Sequence, residues 1–108
     1  MATSKEYLHF VLDQFSGLGE VTHRAMMGEY VLYYRQKVIG GIYDNRVLVK
    51  PTPSAKALMP EAREEIPYEG AKVMLMVERL EDLEFLRTLL EAMYEELPQP
   101  KPKKKKKP

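Results

Sequence analysis

The chain has two histidines, His9 and His23, and imidazole is the side chain best suited to proton transfer or metal ligation near neutral pH. Neither has further ligands at a recognisable spacing, so no metal is expected. The absence of cysteine also removes thiol nucleophiles, disulfides and cysteine-based zinc sites, in keeping with a reducing compartment. Ser4, Ser16, Thr22, Thr52, Ser54 and Thr88 read as cap and turn residues, without a nucleophile elbow or a paired base. Asp82 and Glu84, like Glu61, Glu64 and Glu65, fall at helix starts or in solvated stretches, where acids complement the helix dipole rather than exchange protons with a substrate. Gly28, Gly40 and Gly41 lack the strand, loop and helix context and the Lys-Ser/Thr of a phosphate cradle, so tight backbone approach or a bulge explains them better. The expectation is a protein that is not an enzyme and holds no cofactor.

A second chemistry is suggested by tyrosines interleaved with cations. Tyr33, Tyr34, Arg35, Lys37, Tyr43 and Arg46 together resemble a stacking platform for single-stranded nucleic acid, although the ribonucleoprotein sheet motif is not matched. Charge argues against it: six of the seventeen Lys and Arg residues lie at 101–108, leaving eleven against sixteen acids in the body, a net −5. Such a body repels a polyanion. Lys101, Lys103, Lys104, Lys105, Lys106 and Lys107 remain as candidate contacts for weak, salt-sensitive attraction to DNA, RNA or anionic lipid, or equally as a solubilising end.

The elements that position these residues follow from periodicity. Thr3 and Glu6 have capping-box spacing, and Tyr7, Leu8, Val11, Leu12 and Phe15 form the apolar stripe of a first helix. Strands are expected at 21–24, 29–34, 38–43 and 46–50, separated by polar turns at 35–37 and 44–45. Pro51 and Pro53 end that run, and Ser54 caps a short helix through 59. A charged stretch at 61–65 and a loop through Pro67 and Tyr68 lead to a further strand at 72–77. Leu83, Leu86, Leu89, Leu90, Met93 and Leu97 then mark a closing helix. The fold class is α+β: an antiparallel sheet of about five strands packed with N- and C-terminal helices in two layers. The domain is expected over 1–97, with 98–108 a disordered Pro/Lys-rich tail. No apolar run approaches a membrane span and no export signal is visible, so a cytoplasmic location is expected.

Alternation leaves both sheet faces apolar. Tyr30, Leu32 and Tyr34 face one way and Val31 and Tyr33 the other, while Met74 and Met76 oppose Val73, Leu75 and Val77. Two helices cover one face. The other needs the middle helix, tyrosines reaching water, or a second molecule, and a homodimer is the expectation.

The motif Arg24-Ala25-Met26-Met27-Gly28-Glu29-Tyr30, then Gly40-Gly41, then Asp44-Asn45-Arg46-Val47-Leu48-Val49-Lys50, then Pro67-Tyr68 and a Leu-rich helix, resembles the TfoX/Sxy N-terminal domain family over roughly 5–97. Carried over residue by residue, the family motif falls on Arg24, Met26, Met27, Gly28, Tyr30, Gly40, Gly41, Asp44, Lys50, Pro67 and Tyr68. Met27 stands where many members have Phe, and Glu29 where a second Gly is common. The resemblance implies a secretion-chaperone-like fold and, beyond it, a competence-related regulator of transcription acting through contact with a protein partner such as a transcription factor. In the two-domain members a separate C-terminal domain follows. On the residues themselves, Met26 and Met27 are expected in the core, and Arg24 in an ion pair with Glu29 or a closing-helix glutamate.

Overall fold

The computed structural model describes residues 3–98; the lysines at 101 and 103–107 and the tail expected at 98–108 lie outside them, apart from Pro98. The chain runs α1 (Lys5–Phe15), a 3-10 turn (Ser16–Leu18), β1 (Val21–Met26), β2 (Glu29–Tyr34), β3 (Lys37–Ile42), β4 (Val47–Val49), α2 (Pro53–Leu58), β5 (Glu64–Glu65), β6 (Met74–Met76) and α3 (Leu83–Tyr94). One antiparallel sheet orders the strands β1-β2-β3-β4-β6-β5. The sheet therefore has six strands where about five were expected. The extra one, β5, is two glutamates with no apolar alternation; it exists because Glu64 and Glu65 pair with Leu75 and Met74.

Three tight turns build the meander. Met27-Gly28, Arg35-Gln36 and Asp44-Asn45 all place both central residues in the left-handed region, with φ of 53° and 87°, 50° and 75°, and 52° and 57°. This is the backbone that matches the right-handed twist of paired strands. Asn, Asp and Gly adopt it readily; Met27, Arg35 and Gln36 do so at about 1–2 kcal/mol each. Between β2 and β3 the register shifts after Leu32, and the extra residue, Ile39, turns into the core. At Gly40 the neighbouring strand comes so close that a Cβ would collide with the Leu48 carbonyl and lie 2.7 Å from Val49 Cα.

All three helices pack on the same face of the sheet. Leu8, Val11 and Phe15 of α1 and Phe85, Leu86, Leu89, Leu90 and Met93 of α3 meet Leu32, Ile42, Val47, Val49, Leu75 and Val77. Caps fix where the helices begin. Ser4, not Thr3, caps α1, its hydroxyl accepting the Tyr7 N–H at 3.1 Å. Thr3 is diverted by a tertiary partner, donating to Glu29 Oε1 at 2.7 Å. Likewise Thr52, not Ser54, caps α2 by accepting the Ala55 N–H, with Pro53 at the first helical position; proline there sacrifices no hydrogen bond. Ser54 instead bonds Glu96 through its N–H and hydroxyl, at 3.0 and 2.6 Å, holding α2 to the end of α3. Asp82 caps α3 by accepting the Phe85 N–H. That bond and the Arg79 guanidinium hold the Asp82 carboxyl below its ordinary range. No helix among the described residues is long and apolar enough to cross a membrane.

Candidate protein-contact surface

The face opposite the helices decides what this molecule presents. Pairing across the sheet puts Thr22, Arg24 and Met26 of β1 on this open face, beside Tyr33, Val31 and Glu29 of β2. The row continues through Val38 and Gly41 of β3 to Leu48 of β4 and Met76 of β6. Its two halves differ. Over β3 and β4, Tyr43 folds back across the sheet: a Cβ on Gly41 would lie 2.7 Å from the Tyr43 ring and 2.5 Å from the Tyr30 carbonyl oxygen. Only glycine leaves room for that ring. Tyr68, from the loop at 66–71, packs at 6.1 Å on Tyr43. Beneath them Leu48 is fully buried, outside the main core. Burial, with Tyr68 and the Glu29 carboxylate nearby, raises the Tyr43 phenol above its ordinary pKa.

Over β1 to β3 nothing comparable covers the face among the described residues. Thr22, Arg24 and Met26 are exposed, and Val31, Tyr33 and Val38 are half-buried. Met27, at the tip of the β1-β2 turn, is 97% exposed. The expected core placement of Met26 and Met27 is therefore corrected: β1 is the sheet's edge, and a left-handed turn swings Met27 off the sheet. The expected ion pair of Arg24 is corrected too, since no ion pair to Arg24 forms among the described residues. Glu29 is occupied instead by the Thr3 hydroxyl and by the Asp44 N–H at 3.1 Å.

The other motif residues are scaffold. Gly28 supplies the second left-handed turn residue, and its carbonyl accepts the Thr3 N–H. Asp44 and Asn45 form the turn at the same end, with Asn45 Oδ1 accepting the Ser4 N–H at 3.0 Å and the Asn45 N–H reaching the Thr3 hydroxyl. Two stretches far apart in sequence thus meet at the start of α1. Tyr30 lies on the helix side, edge-on to His23 at 5.9 Å. The Lys50 N–H extends the sheet by donating to the Ile39 carbonyl, and Pro67 precedes the tyrosine that shields Tyr43.

The stacking platform read from the sequence is not assembled. Tyr34 and Lys37 point to the helix side and are buried; Lys37 Nζ donates to the Tyr94 carbonyl at 2.8 Å and lies 4.0 Å over the Tyr94 ring. Arg35 pairs with Glu20 at 2.6 Å and lies 3.6 Å from Glu91; Arg46 pairs with Glu65 at 2.8 Å. Of the six residues, Tyr33 alone belongs to the uncovered part of the face. His9 and His23 are exposed, and among the described residues no three His, Asp or Glu side chains gather into a group able to hold a metal ion.

Comparison with known proteins places the chain in a family. A protein described as an uncharacterized 12.7 kDa protein in the trpE 5' region, from Spirochaeta aurantia, is 37% identical over 107 residues, covering 98% of this chain and 93% of the relative. No solved structure matches significantly. The profile of the TfoX N-terminal domain matches residues 13–96, which include every motif residue placed above. By that match over most of its length, the chain belongs to the TfoX N-terminal domain family.

Proposed function

We propose that this protein is an interaction domain that takes part in the regulation of transcription, in the competence-related manner associated with its family, by contact with a protein partner in the cytoplasm and without catalysing a reaction. The observation that carries this reading is the uncovered part of the open sheet face. There Arg24, with no ion pair among the described residues, stands between exposed Thr22 and Met26 and beside half-buried Val31 and Tyr33. Isolated exposed apolar residues are ordinary, but a contiguous patch with an available guanidinium at its centre has the composition of an interface core. The rest of the motif supports the reading by holding that patch in place. Its glycines and turn residues set the tight turns and the close approach of the strands, and Tyr68 packs on Tyr43 over the other half of the face.

A transcription factor is the partner class that this reading names. The test is a strain in which the gene is replaced by the Arg24→Glu, Met26→Asp variant, with transcripts compared with wild type and with a deletion. The reading expects the variant, folded and at normal abundance, to reproduce the changes seen on deletion. A deletion that leaves transcripts unchanged would remove the regulatory assignment. Direct nucleic-acid binding by the folded body is disfavoured, because all five cation or tyrosine partners it would recruit beside Tyr33 are buried or already paired: Tyr34, Lys37 and Tyr43 are buried, and Arg35 and Arg46 are tied to Glu20 and Glu65.

A further inference from the structure

The two ends of the sheet are treated differently. One edge, β5, is two residues long and both are glutamates, a short and charged edge of the kind that resists pairing with another strand. The other edge, β1, is six residues long, pairs with β2 without a register shift and contains no proline. Among the described residues nothing pairs with its outer side, and five of its six residues are exposed.

The direction of its backbone groups follows from one hydrogen bond. The Arg35 N–H donates to the Glu20 carbonyl at 3.0 Å, one pair beyond Val21 and Tyr34. In an antiparallel ladder hydrogen-bonded pairs alternate, so Thr22, Arg24 and Met26 direct their N–H and C=O groups toward β2. Val21, His23 and Ala25 direct theirs outward. Left-handed residues bound this extended stretch on both sides, Glu20 at φ 55° and Met27 at φ 53°.

We propose that this edge pairs antiparallel with the β1 edge of a second copy, about a two-fold axis at His23, giving one sheet continuous through both molecules. The set of outward-facing residues is its own complement: Val21 meets Ala25 of the second copy, His23 meets His23, and Ala25 meets Val21. All three outward-facing residues are then used, with about two backbone bonds per pair. Sliding by two residues in either direction loses a pair, and one of those slides sets Arg24 against Arg24, whereas the His23-centred register sets Arg24 against Thr22. The open faces of the two copies become one surface with the Met27 tips at separate corners. This assembly does not depend on the regulatory reading.

The experiment compares wild type with His23→Pro and His23→Thr by sedimentation equilibrium from micromolar to millimolar concentration. Proline is tolerated where an edge N–H faces outward, so His23→Pro keeps the β1-β2 ladder and removes the central interchain donor from both copies. The expected result is a wild-type dimer weakened at least about tenfold by His23→Pro and retained by His23→Thr. Hydrogen exchange on the wild type supplies a readout that needs no folded variant: the amides of Val21, His23 and Ala25 gain protection as concentration rises. A monomer throughout, a dimer indifferent to His23→Pro, equal weakening by His23→Thr, or edge amides whose exchange ignores concentration would each overturn the proposal.

Discussion

Replacing Gly41 by alanine asks whether the motif glycine is there to seat a tyrosine. The added Cβ lies 2.5 Å from the Tyr30 carbonyl oxygen and 2.7 and 2.9 Å from two atoms of the Tyr43 ring, so most of an ångström of movement is needed on two sides. The backbone contact is in the middle of the β2-β3 pairing and yields little. The ring yields more readily, but its departure uncovers Leu48, which is fully buried. Overpacking of this kind costs about 1–3 kcal/mol, and exposure at Leu48 places Gly41→Ala at the upper end, about 2–3 kcal/mol. For a domain of this size that lowers the melting temperature by about 10–20 °C. The assay is thermal and urea denaturation of Gly41→Ala, Tyr43→Ala and the double variant. Removing the ring relieves only part of the clash, so the double variant should lose less than the sum of the singles by about 1 kcal/mol. A Gly41→Ala loss under about 0.5 kcal/mol, or strict additivity, would refute the close packing of Tyr43 on the sheet.

Met27→Gly should raise stability by about 0.5–1 kcal/mol, because relief of a left-handed non-glycine residue outweighs the extra chain entropy of glycine; a clear loss in urea titration would mean that the Met27 side chain packs on something. Lys37→Met should destabilise by about 1–3 kcal/mol, since it leaves the Tyr94 carbonyl at the end of α3 without its buried charged donor, and an unchanged denaturation midpoint would contradict the contact. Asp82 and Glu96 both hold their protons less tightly in the folded protein, Asp82 chiefly through the Phe85 N–H and Glu96 chiefly through the Ser54 hydroxyl. The stability they contribute is therefore complete above the ordinary carboxylate range, about pH 4, and is lost on acidification through their lowered folded values. Acid titrations of Asp82→Asn, Glu96→Gln and the double variant should show a shallower loss than wild type, and an identical acid limb would contradict the assignment.

Both long helices were legible because their apolar residues recur at helical spacing, and the alternation in β2 and β6 sorted their residues into two faces, while which face would meet the helices was left to tertiary structure. Cap identities were less so. Ser4 and Thr3 are both competent caps, and the choice between them depends on Glu29, far along the chain. For α2 the signal was present in Pro53, whose place at the first helical position marks Thr52 as the cap. Strand β5 carries no periodicity at all and is created by its partner. Met26 and Met27 were misplaced because apolar residues in a strand suggest a core, and only the order of strands in the sheet reveals that β1 is an edge. Gly28, closing the gap between the strands expected at 21–24 and 29–34, was the available sign of a turn at this point. That Arg24 has no ion pair among the described residues, and that the tyrosine and cation cluster comes apart, are consequences of which face each strand presents, and these belong to tertiary structure alone.

The central claim is that the open face of β1 to β3 meets a protein partner. The most direct measurement is crosslinking from that face in native cells, with a photoreactive residue at Thr22 compared with one at Glu84 on α3, each exposed, and with a chain lacking 101–108 as control. The account predicts from Thr22 a specific crosslinked protein other than a second copy of this chain, retained without the tail, lost in Arg24→Glu, Met26→Asp and absent from Glu84. Crosslinking that is equal from both positions, or that disappears with the tail alone, would contradict it.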